Sequence, residues 1–152
     1  MTDGLRDLVG RLRGLGQPSR IQIIGGAAIA IERNWRGDWL NDAAAQFVPT
    51  GYGRPAGWVT IYDAEGVTVQ VADAETLLAM KVYAAQKRGR REFEDLETLI
   101  PAIGLTSVDD VEALYESFYP GDELTARTAV IIQAVLDQGA PKPAAPARPD
   151  LG

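Results

Sequence analysis

The apolar positions change their spacing along the N-terminal part of the chain. Leucine and valine recur every three or four residues over 5–15, which predicts an amphipathic helix ended by the following Gly-Gln-Pro sequence. The run Ile-Gln-Ile-Ile at 21–24 is short and rich in β-branched residues, and it predicts a buried strand. Gly25 and Gly26 then form the predicted turn into a helix of small residues over 27–33.

The middle of the chain carries a hairpin pattern. Residues 58–62 and 67–71 alternate apolar and polar side chains on either side of Asp-Ala-Glu-Gly at 63–66. This pattern predicts two antiparallel strands joined by a turn at those four residues. The segment 34–57 is rich in Gly, Pro and Trp and lacks a period, so we predict irregular structure there, with one short helix over 40–46.

Apolar positions return to helical spacing in the C-terminal half, where we predict four helices. Two of them begin behind a residue that caps helices well. The predicted helices cover 74–86 behind the cap Asp73, 91–100 ended by Pro101 and Gly104, Ser107 to about 118, and 123–138. Strands followed by a run of helices predict an α+β fold.

The last residues differ from the rest in composition. The sequence GAPKPAAPARPDLG at 139–152 is rich in Pro and Ala and has almost nothing to bury, so we predict a disordered tail. The 138 residues before it are enough for one domain with its own core. We therefore predict a domain over 1–138 and a tail over 139–152.

Composition excludes several kinds of active site. The chain has neither histidine nor cysteine, which excludes histidine acid–base catalysis, Ser-His triads and zinc sites built on imidazole or thiolate ligands. Any metal must then be a hard ion held by oxygen, such as Mg2+. The 21 acidic and 15 basic residues give a net charge of −6, which argues against broad attraction to nucleic acid but allows a local basic patch.

No targeting or membrane segment is evident. The N-terminal sequence MTDGLRDLVGRLRGLG interleaves arginine with leucine and lacks the unbroken apolar core of a signal peptide. No apolar run approaches the roughly 20 residues that a membrane helix needs. We expect a cytoplasmic protein with no membrane partner.

The double glycine is the first candidate site. Gly25 and Gly26 would let backbone amides approach a phosphate, and the N-terminus of the following helix would add partial positive charge. The same pair could instead serve only a sharp turn and close contact between helix and sheet. Local sequence leaves both interpretations open.

A second segment gives these glycines a context. Residues 75–85, ETLLAMKVYAA, and 90–96, RREFEDL, resemble a signature of the nucleotidyltransferase superfamily. The resembling branch contains the AbiEii-type toxins of abortive-infection and toxin–antitoxin systems and a related uncharacterised family of bacterial nucleotidyltransferase-like proteins. The double glycine resembles the opening motif of the superfamily, and DWLND at 38–42 is similar to the uncharacterised family. The resemblance covers about residues 5–138.

The resemblance implies a fold and a chemistry. The fold would be a nucleotidyltransferase-like small mixed β-sheet with flanking helices and a C-terminal helical half. The chemistry would be Mg2+-dependent transfer of a nucleoside monophosphate from an NTP to RNA, such as tRNA, or to a protein. The implied nucleotide contacts are Gly25, Gly26, Lys81 and Arg91, and the implied catalytic residues are Lys81, Glu92 and Asp95. Glu92 stands where the family usually has aspartate.

The chain departs from the family at the metal site. The superfamily places Asp-x-Asp about ten residues beyond the glycines, where alternate strand positions turn both carboxylates toward Mg2+. Here the window 31–37 reads IERNWRG and holds no such pair. Asp38 with Asp42 could share a helix face, and Asp63 with Glu65 has the right spacing but falls in the predicted turn. A solvated turn or a helix cap explains both pairs better.

The charged residues near the second segment have two interpretations each. Lys81 lies among apolar residues, so it could extend its ammonium to solvent or, as the resemblance implies, reach a nucleotide phosphate. Asp95 and Glu92 could each form an ordinary exposed ion pair with a basic side chain, or they could orient the lysine and arginine side chains. A basic run could be a solvated helix end or an RNA contact. That run consists of Lys87, Arg88, Arg90 and Arg91.

Resemblance and departure together yield one functional prediction. We expect a nucleotidyltransferase-like protein with degenerate or lost catalysis, which binds a nucleotide or a partner such as a cognate toxin or antitoxin in a toxin–antitoxin or phage-defence system. The alternative is active transfer of a nucleoside monophosphate with an NTP and Mg2+. The family block around Lys81 favours activity, and the missing Asp-x-Asp favours its loss.

Overall fold

The computed structural model describes residues 2–16, 18–23, 48–49 and 51–138. The chain divides into two compact units, one that holds the strands and one that is helical. The prediction that residues 1–138 form one domain stays a prediction. Several predicted features lie outside the described residues: Gly25, Gly26, Asp38, Asp42, the helices over 27–33 and 40–46, and the tail over 139–152.

The first unit consists of one helix and a three-stranded mixed sheet. Its elements are α1 (Thr2–Gly14), β1 (Ser19–Ile23), β2 (Trp58–Ala64) and β3 (Val67–Ala72). The strands lie in the order β1-β3-β2, with β1 parallel and β2 antiparallel to β3. The predicted first helix, first strand and hairpin are confirmed, and with the helical second unit they confirm the α+β class.

Period-two burial explains why β3 is the central strand. Its three valines are fully buried and alternate with half-buried polar residues, as expected for a strand with one face on the core. α1 contacts β3 and buries Leu5 and Val9, which lie four residues apart on one helix face. The core of this unit therefore lies between α1 and the valine face of β3.

The hairpin turn is shorter than predicted. Glu65 and Gly66 both have positive φ, 52° and 78°, which is the requirement of a two-residue type I′ turn. Asp63 lies in β2, where its carboxylate accepts a hydrogen bond from the Thr68 hydroxyl at 3.2 Å. Glu65 forms an ion pair with Arg13 at 3.0 Å. The prediction of a four-residue turn was wrong because the two φ-positive residues alone reverse the chain.

The second unit is built around one buried helix. Its elements are α2 (Ala74–Arg88), a 3-10 helix (Gly89–Glu92), α3 (Phe93–Ile103), α4 (Val108–Phe118) and α5 (Ala126–Gln138). α2 contacts all four other elements, and it is apolar on nearly every side, as a central helix must be. Both predicted caps are confirmed: Asp73 accepts from the Thr76 amide at 2.8 Å and Ser107 from the Asp110 amide at 3.1 Å. No helix in the described ranges is long and apolar enough to cross a membrane.

Several helix boundaries differ from the prediction, and distant contacts explain the differences in α3 and α5. The predicted helix over 91–100 begins at Phe93 and continues through Pro101 to Ile103, because buried Leu99 and Ile100 hold its last turn against the core. Gly104 ends it in the left-handed conformation, as predicted, with its amide bonded to two carbonyls of that turn.

The last helix begins at Ala126, three residues after its predicted start at Glu123. Side chains of other helices already bind the backbone of the preceding loop, so those groups do not enter a helical turn. Gln86 accepts from the Thr125 amide at 2.8 Å and donates to the Glu123 carbonyl at 3.2 Å. Glu112 accepts from the Leu124 amide at 3.0 Å.

Candidate functional site

The end of α2 and the start of α3 bring the predicted catalytic residues together. Gly89 ends α2 with φ 70° and ψ −135°, a conformation that side-chain-bearing residues rarely adopt, and the 3-10 helix then turns the chain back. This reversal places Glu92, the last residue of the 3-10 helix, and Asp95, in the first turn of α3, opposite Lys81 on α2. The contact depends on three-dimensional folding over eleven residues rather than on helical spacing.

These side chains form a compact ion-pair network, which we call the buried ion-pair cluster: Lys81, Arg88, Glu92 and Asp95. Lys81 Nζ lies 3.0 Å from Glu92 Oε2 and 2.6 Å from Asp95 Oδ2. Arg88 Nη2 lies 2.8 Å from the other Glu92 oxygen, Oε1. Two cations face two carboxylates, so the cluster is neutral as a whole.

Burial distinguishes this cluster from a surface ion pair. The side chains of Lys81 and Glu92 are 11% and 6% exposed, and that of Asp95 is 21% exposed. Lys81 therefore does not extend its ammonium to bulk solvent, and Glu92 and Asp95 are not an ordinary exposed pair. The structure brings the three predicted residues together, and their role in catalysis or nucleotide binding stays a prediction. The Lys81 ammonium has little uncompensated charge to offer a phosphate.

The oxygens by which Glu92 and Asp95 contact Lys81 do not suit a magnesium ion. Glu92 Oε2 and Asp95 Oδ2 already contact the Lys81 ammonium. A divalent cation at the same two oxygens would be repelled by that ammonium. Across the described ranges, no three acidic side chains come together as metal ligands would. The metal candidates Asp38 and Asp42 lie outside those ranges, as does the double glycine.

A second charged feature lies on the same unit, and we call it the arginine groove. It is an open depression of about 660 Å³ formed by the 3-10 helix, the end of α2 and the first turns of α5. Four arginines surround an apolar floor. The lining residues are Arg88, Arg90, Arg91, Ala126, Arg127, Val130 and Ile131.

The charge in the groove is largely uncompensated. Arg88 belongs to the buried ion-pair cluster through Glu92, whereas Arg90, Arg91 and Arg127 form no ion pair with any other residue that the structure describes. All three are exposed. Each guanidinium presents several N–H donors in a fixed plane, so the polar groups of the groove are side-chain donors without a side-chain acceptor, beside a larger apolar surface.

The sequence predicted part of this groove and missed the rest. Arg88, Arg90 and Arg91 come from the predicted basic run, but Lys87 does not line the groove, because its ammonium lies 5.5 Å from the centre of the Tyr83 ring. Arg127 was not predicted. It lies far away along the chain in α5, and no local pattern distinguishes it from other exposed arginines.

The Arg127 guanidinium lies close to the backbone at Gly89. A Cβ atom added at Gly89 would meet the Arg127 guanidinium, with Cζ only 2.8 Å away. The glycine therefore leaves the space in which the guanidinium rests. The same residue that permits the chain reversal behind the buried ion-pair cluster also positions one side of the arginine groove.

A third polar group on this unit is buried and uncharged. The Tyr115 hydroxyl donates to Asp122 and accepts from Gln86, and the Tyr119 ring stacks on Tyr83 with centroids 5.0 Å apart. Burial raises the pKa of Tyr115 above its usual 10.0, and the hydrogen bond to Asp122 adds to that effect. Burial also raises the pKa of Tyr119. These phenols stay protonated in the folded protein and serve structure rather than acid–base chemistry.

Comparisons with protein-family models, with curated proteins and with solved structures find no match for this chain.

Proposed function

We propose that the protein is nucleotidyltransferase-like and binds the phosphate groups of a nucleotide without transferring the nucleotide. The observation that carries the proposal is the arginine groove. Three exposed arginines without ion pairs to other described residues converge on one depression of a chain whose net charge is −6. Concentrated positive charge on an acidic protein favours a specific anionic ligand over general electrostatic attraction.

Phosphate is an anion that suits this lining. Guanidinium groups bind phosphate through pairs of parallel N–H···O hydrogen bonds, which are stronger than neutral ones. The volume of about 660 Å³ lies in the range usual for small-molecule sites. The floor of Ala126, Val130 and Ile131 offers an apolar surface to a sugar or base beside the phosphates.

The buried ion-pair cluster supports the loss of transfer activity. A lysine that stabilises charge in a transition state must direct its ammonium at the reacting phosphate. Lys81 instead directs it between two carboxylates at 2.6 and 3.0 Å, and its side chain is 11% exposed. The geometry therefore favours a structural role for Lys81 and nucleotide contacts elsewhere, with Arg91 as the predicted contact that lines the groove.

Active transfer is the second candidate, and one observation favours it. The residues that resemble the superfamily signature, Lys81, Glu92 and Asp95, fold into one cluster rather than scattering over the surface. In this reading an NTP and Mg2+ would bind near the double glycine and the acceptor would be RNA or a protein. A cognate toxin or antitoxin is the protein partner implied by the resemblance.

Calorimetry tests the first candidate directly. ATP should bind the full chain with and without Mg2+, and Arg91→Gln should weaken binding at least roughly fivefold through loss of one charged contact. Arg11→Gln, which removes an exposed arginine on α1, is the matched control and should bind as the unmodified protein does. No heat with ATP, or equal weakening by both variants, would refute the proposal.

Label transfer decides between the two candidates. The protein is incubated with labelled NTPs, Mg2+ and total tRNA beside Lys81→Ala and the charge-conserving Lys81→Arg. We expect no labelled RNA or protein. Transfer that Lys81→Ala abolishes, while circular dichroism shows that variant to be folded, would establish the second candidate.

A further inference from the structure

The arginine groove is assembled from two distant parts of the chain and is open to solvent. Arg90 and Arg91 lie on the 3-10 helix, and Arg127 lies on the first turn of α5. The side of the groove away from its apolar floor is not closed by any residue that the structure describes. Val130, which contributes to the floor, is itself 62% exposed. A long ligand could therefore enter and leave along the surface.

We infer that the arginine groove binds the phosphodiester backbone of a nucleic acid strand, independently of its base sequence. The inference rests on the proposed phosphate recognition and specifies its ligand as a polymer rather than a free nucleotide. RNA and DNA share this backbone chemistry.

The side chains that line the groove suit a ligand whose charged groups only accept hydrogen bonds. Its polar side chains are all arginines, which donate hydrogen bonds and accept none. A phosphodiester chain presents anionic oxygens that only accept, so every charged contact can be satisfied. An acidic peptide would bring backbone N–H groups as well, and the side chains that line the groove give them no acceptor. The donor pattern therefore favours a nucleic acid over a peptide of equal charge.

The groove has no surface for reading bases by stacking. Proteins that hold single strands through their bases place aromatic rings along the path. Among the residues that the structure describes, no aromatic side chain lines this groove. Recognition would then rest on backbone charge, which positions a strand and carries no sequence information.

Two of the four arginines, Arg88 and Arg127, contact other parts of the fold before a ligand binds, which lowers the entropic cost of binding for those two side chains. Arg127 rests in the space above Gly89, and the backbone of all four arginines is helical. Side chains that are already positioned lose less freedom when the ligand binds. Arg88 is further restrained by its ion pair with Glu92 at 2.8 Å.

Fluorescence anisotropy with the full chain tests the inference. The probes are a short labelled single-stranded RNA, the DNA of the same sequence, and labelled polyglutamate as an acidic peptide. Binding is measured over a range of salt concentrations, because each arginine that neutralises a phosphate of a single strand contributes about −0.7 to the slope of log K against log salt. We expect RNA, DNA or both to bind with a slope of about −2, which corresponds to three such contacts.

The variants are Arg90→Gln, Arg127→Gln and Arg127→Lys, with Arg11→Gln as the control for loss of charge outside the groove. Each groove glutamine should make the slope less steep by about 0.7 and weaken binding roughly fivefold at 0.1 M salt. Arg127→Lys should keep the slope, because it keeps the charge. Arg11→Gln should change neither slope nor affinity. Circular dichroism confirms that each variant is folded.

The outcomes separate this inference from the proposed function. ATP binding without binding of either nucleic acid would overturn the inference and leave the proposed function intact. No binding of ATP or of any polymer would overturn both. Polyglutamate that binds as tightly as RNA and DNA would replace the nucleic acid with an acidic peptide, and an equal effect of Arg11→Gln would show that binding does not use the groove.

Discussion

The buried ion-pair cluster and the arginine groove adjoin each other on one helical unit, and they treat charge in opposite ways. In the cluster, Lys81 contacts two carboxylates at 3.0 and 2.6 Å and is almost fully enclosed. In the groove, Arg90 and Arg127 are exposed and form no ion pair with other described residues. Arg88 belongs to both, because it lines the groove and binds Glu92.

The difference follows from the cost of desolvation. A charge taken out of water loses several kcal/mol of solvation unless partners replace the water, so the cluster had to be neutral. An exposed guanidinium keeps its water and needs no partner to be tolerated. Uncompensated charge at the surface is therefore available to a ligand, whereas compensated charge in the interior holds helices together. Four substitutions or conditions test this distinction.

Removing the cation from the cluster should have the largest effect. Lys81→Met leaves the partly exposed Asp95 without its cation and the buried Glu92 with Arg88 alone, and we expect a loss of about 3 kcal/mol in the free energy of unfolding, the lower end of the range for a broken buried pair. Urea denaturation measures it through the midpoint at unchanged slope. The triple variant with Glu92→Gln and Asp95→Asn removes the uncompensated charges too and should recover most of the loss. A loss below about 1 kcal/mol in the single variant would contradict a structural role for Lys81.

Gly89 lies at the junction of the two features, so its substitution should affect both. Gly89→Ala forces a side chain into φ 70° and ψ −135° and displaces the Arg127 guanidinium, at a cost of about 1–3 kcal/mol. Gly104→Ala is the matched control, since φ is 88° there and the added Cβ meets nothing within 4 Å. We expect about 1 kcal/mol for the control and no effect on phosphate binding. Equal losses of stability and binding in both variants would show that the close approach to Arg127 has no consequence.

Alkaline pH tests the buried groups of this unit that carry no charge, the phenols of Tyr115 and Tyr119, in contrast to the charged groups of the buried ion-pair cluster. The pKa values of Tyr115 and Tyr119 are raised by burial, so above pH 10 the unfolded chain loses protons that the folded protein keeps. Stability is then fully present below pH 10 and is lost as pH rises, by at most about 1.4 kcal/mol per tyrosine and pH unit. Urea midpoints between pH 8 and 11 measure the slope. Tyr115→Phe with Tyr119→Phe should abolish it, and a slope that persists in the double variant would have another origin.

Neutralising a groove arginine should have the smallest effect on stability. Arg90→Gln removes an exposed charge that has no ion pair among the described residues, so the free energy of unfolding should change by less than about 0.5 kcal/mol. The same variant should weaken the binding of phosphate ligands roughly fivefold. Paired urea denaturation and calorimetry compare the two quantities in one sample. A destabilisation above about 1 kcal/mol would mean that Arg90 serves the fold and not a ligand.

Local patterns were sufficient for the elements and for part of the site. Helical spacing, capping residues and the alternating pattern around Asp-Ala-Glu-Gly predicted α1, β1, the hairpin and the helices of the second unit, because each of these depends on neighbours within a few residues. The errors fall where distant contacts override a local rule. Pro101 does not end α3, because Leu99 and Ile100 are buried in the core. Residues 123–125 are not helical, because Gln86 and Glu112 bind their backbone.

The charged residues show the same difference between what local sequence predicts and what distant contacts decide. That Lys81, Glu92 and Asp95 belong together could be predicted from the family-like signature, but their burial and the pairing of one ammonium with two carboxylates depend on how α2 and α3 pack. No sequence pattern predicts that Arg127 lines the groove. It does so only because α5 lies against the 3-10 helix. Periodicity and caps act over one or two turns, whereas the enclosure or exposure of a charge depends on every element around it.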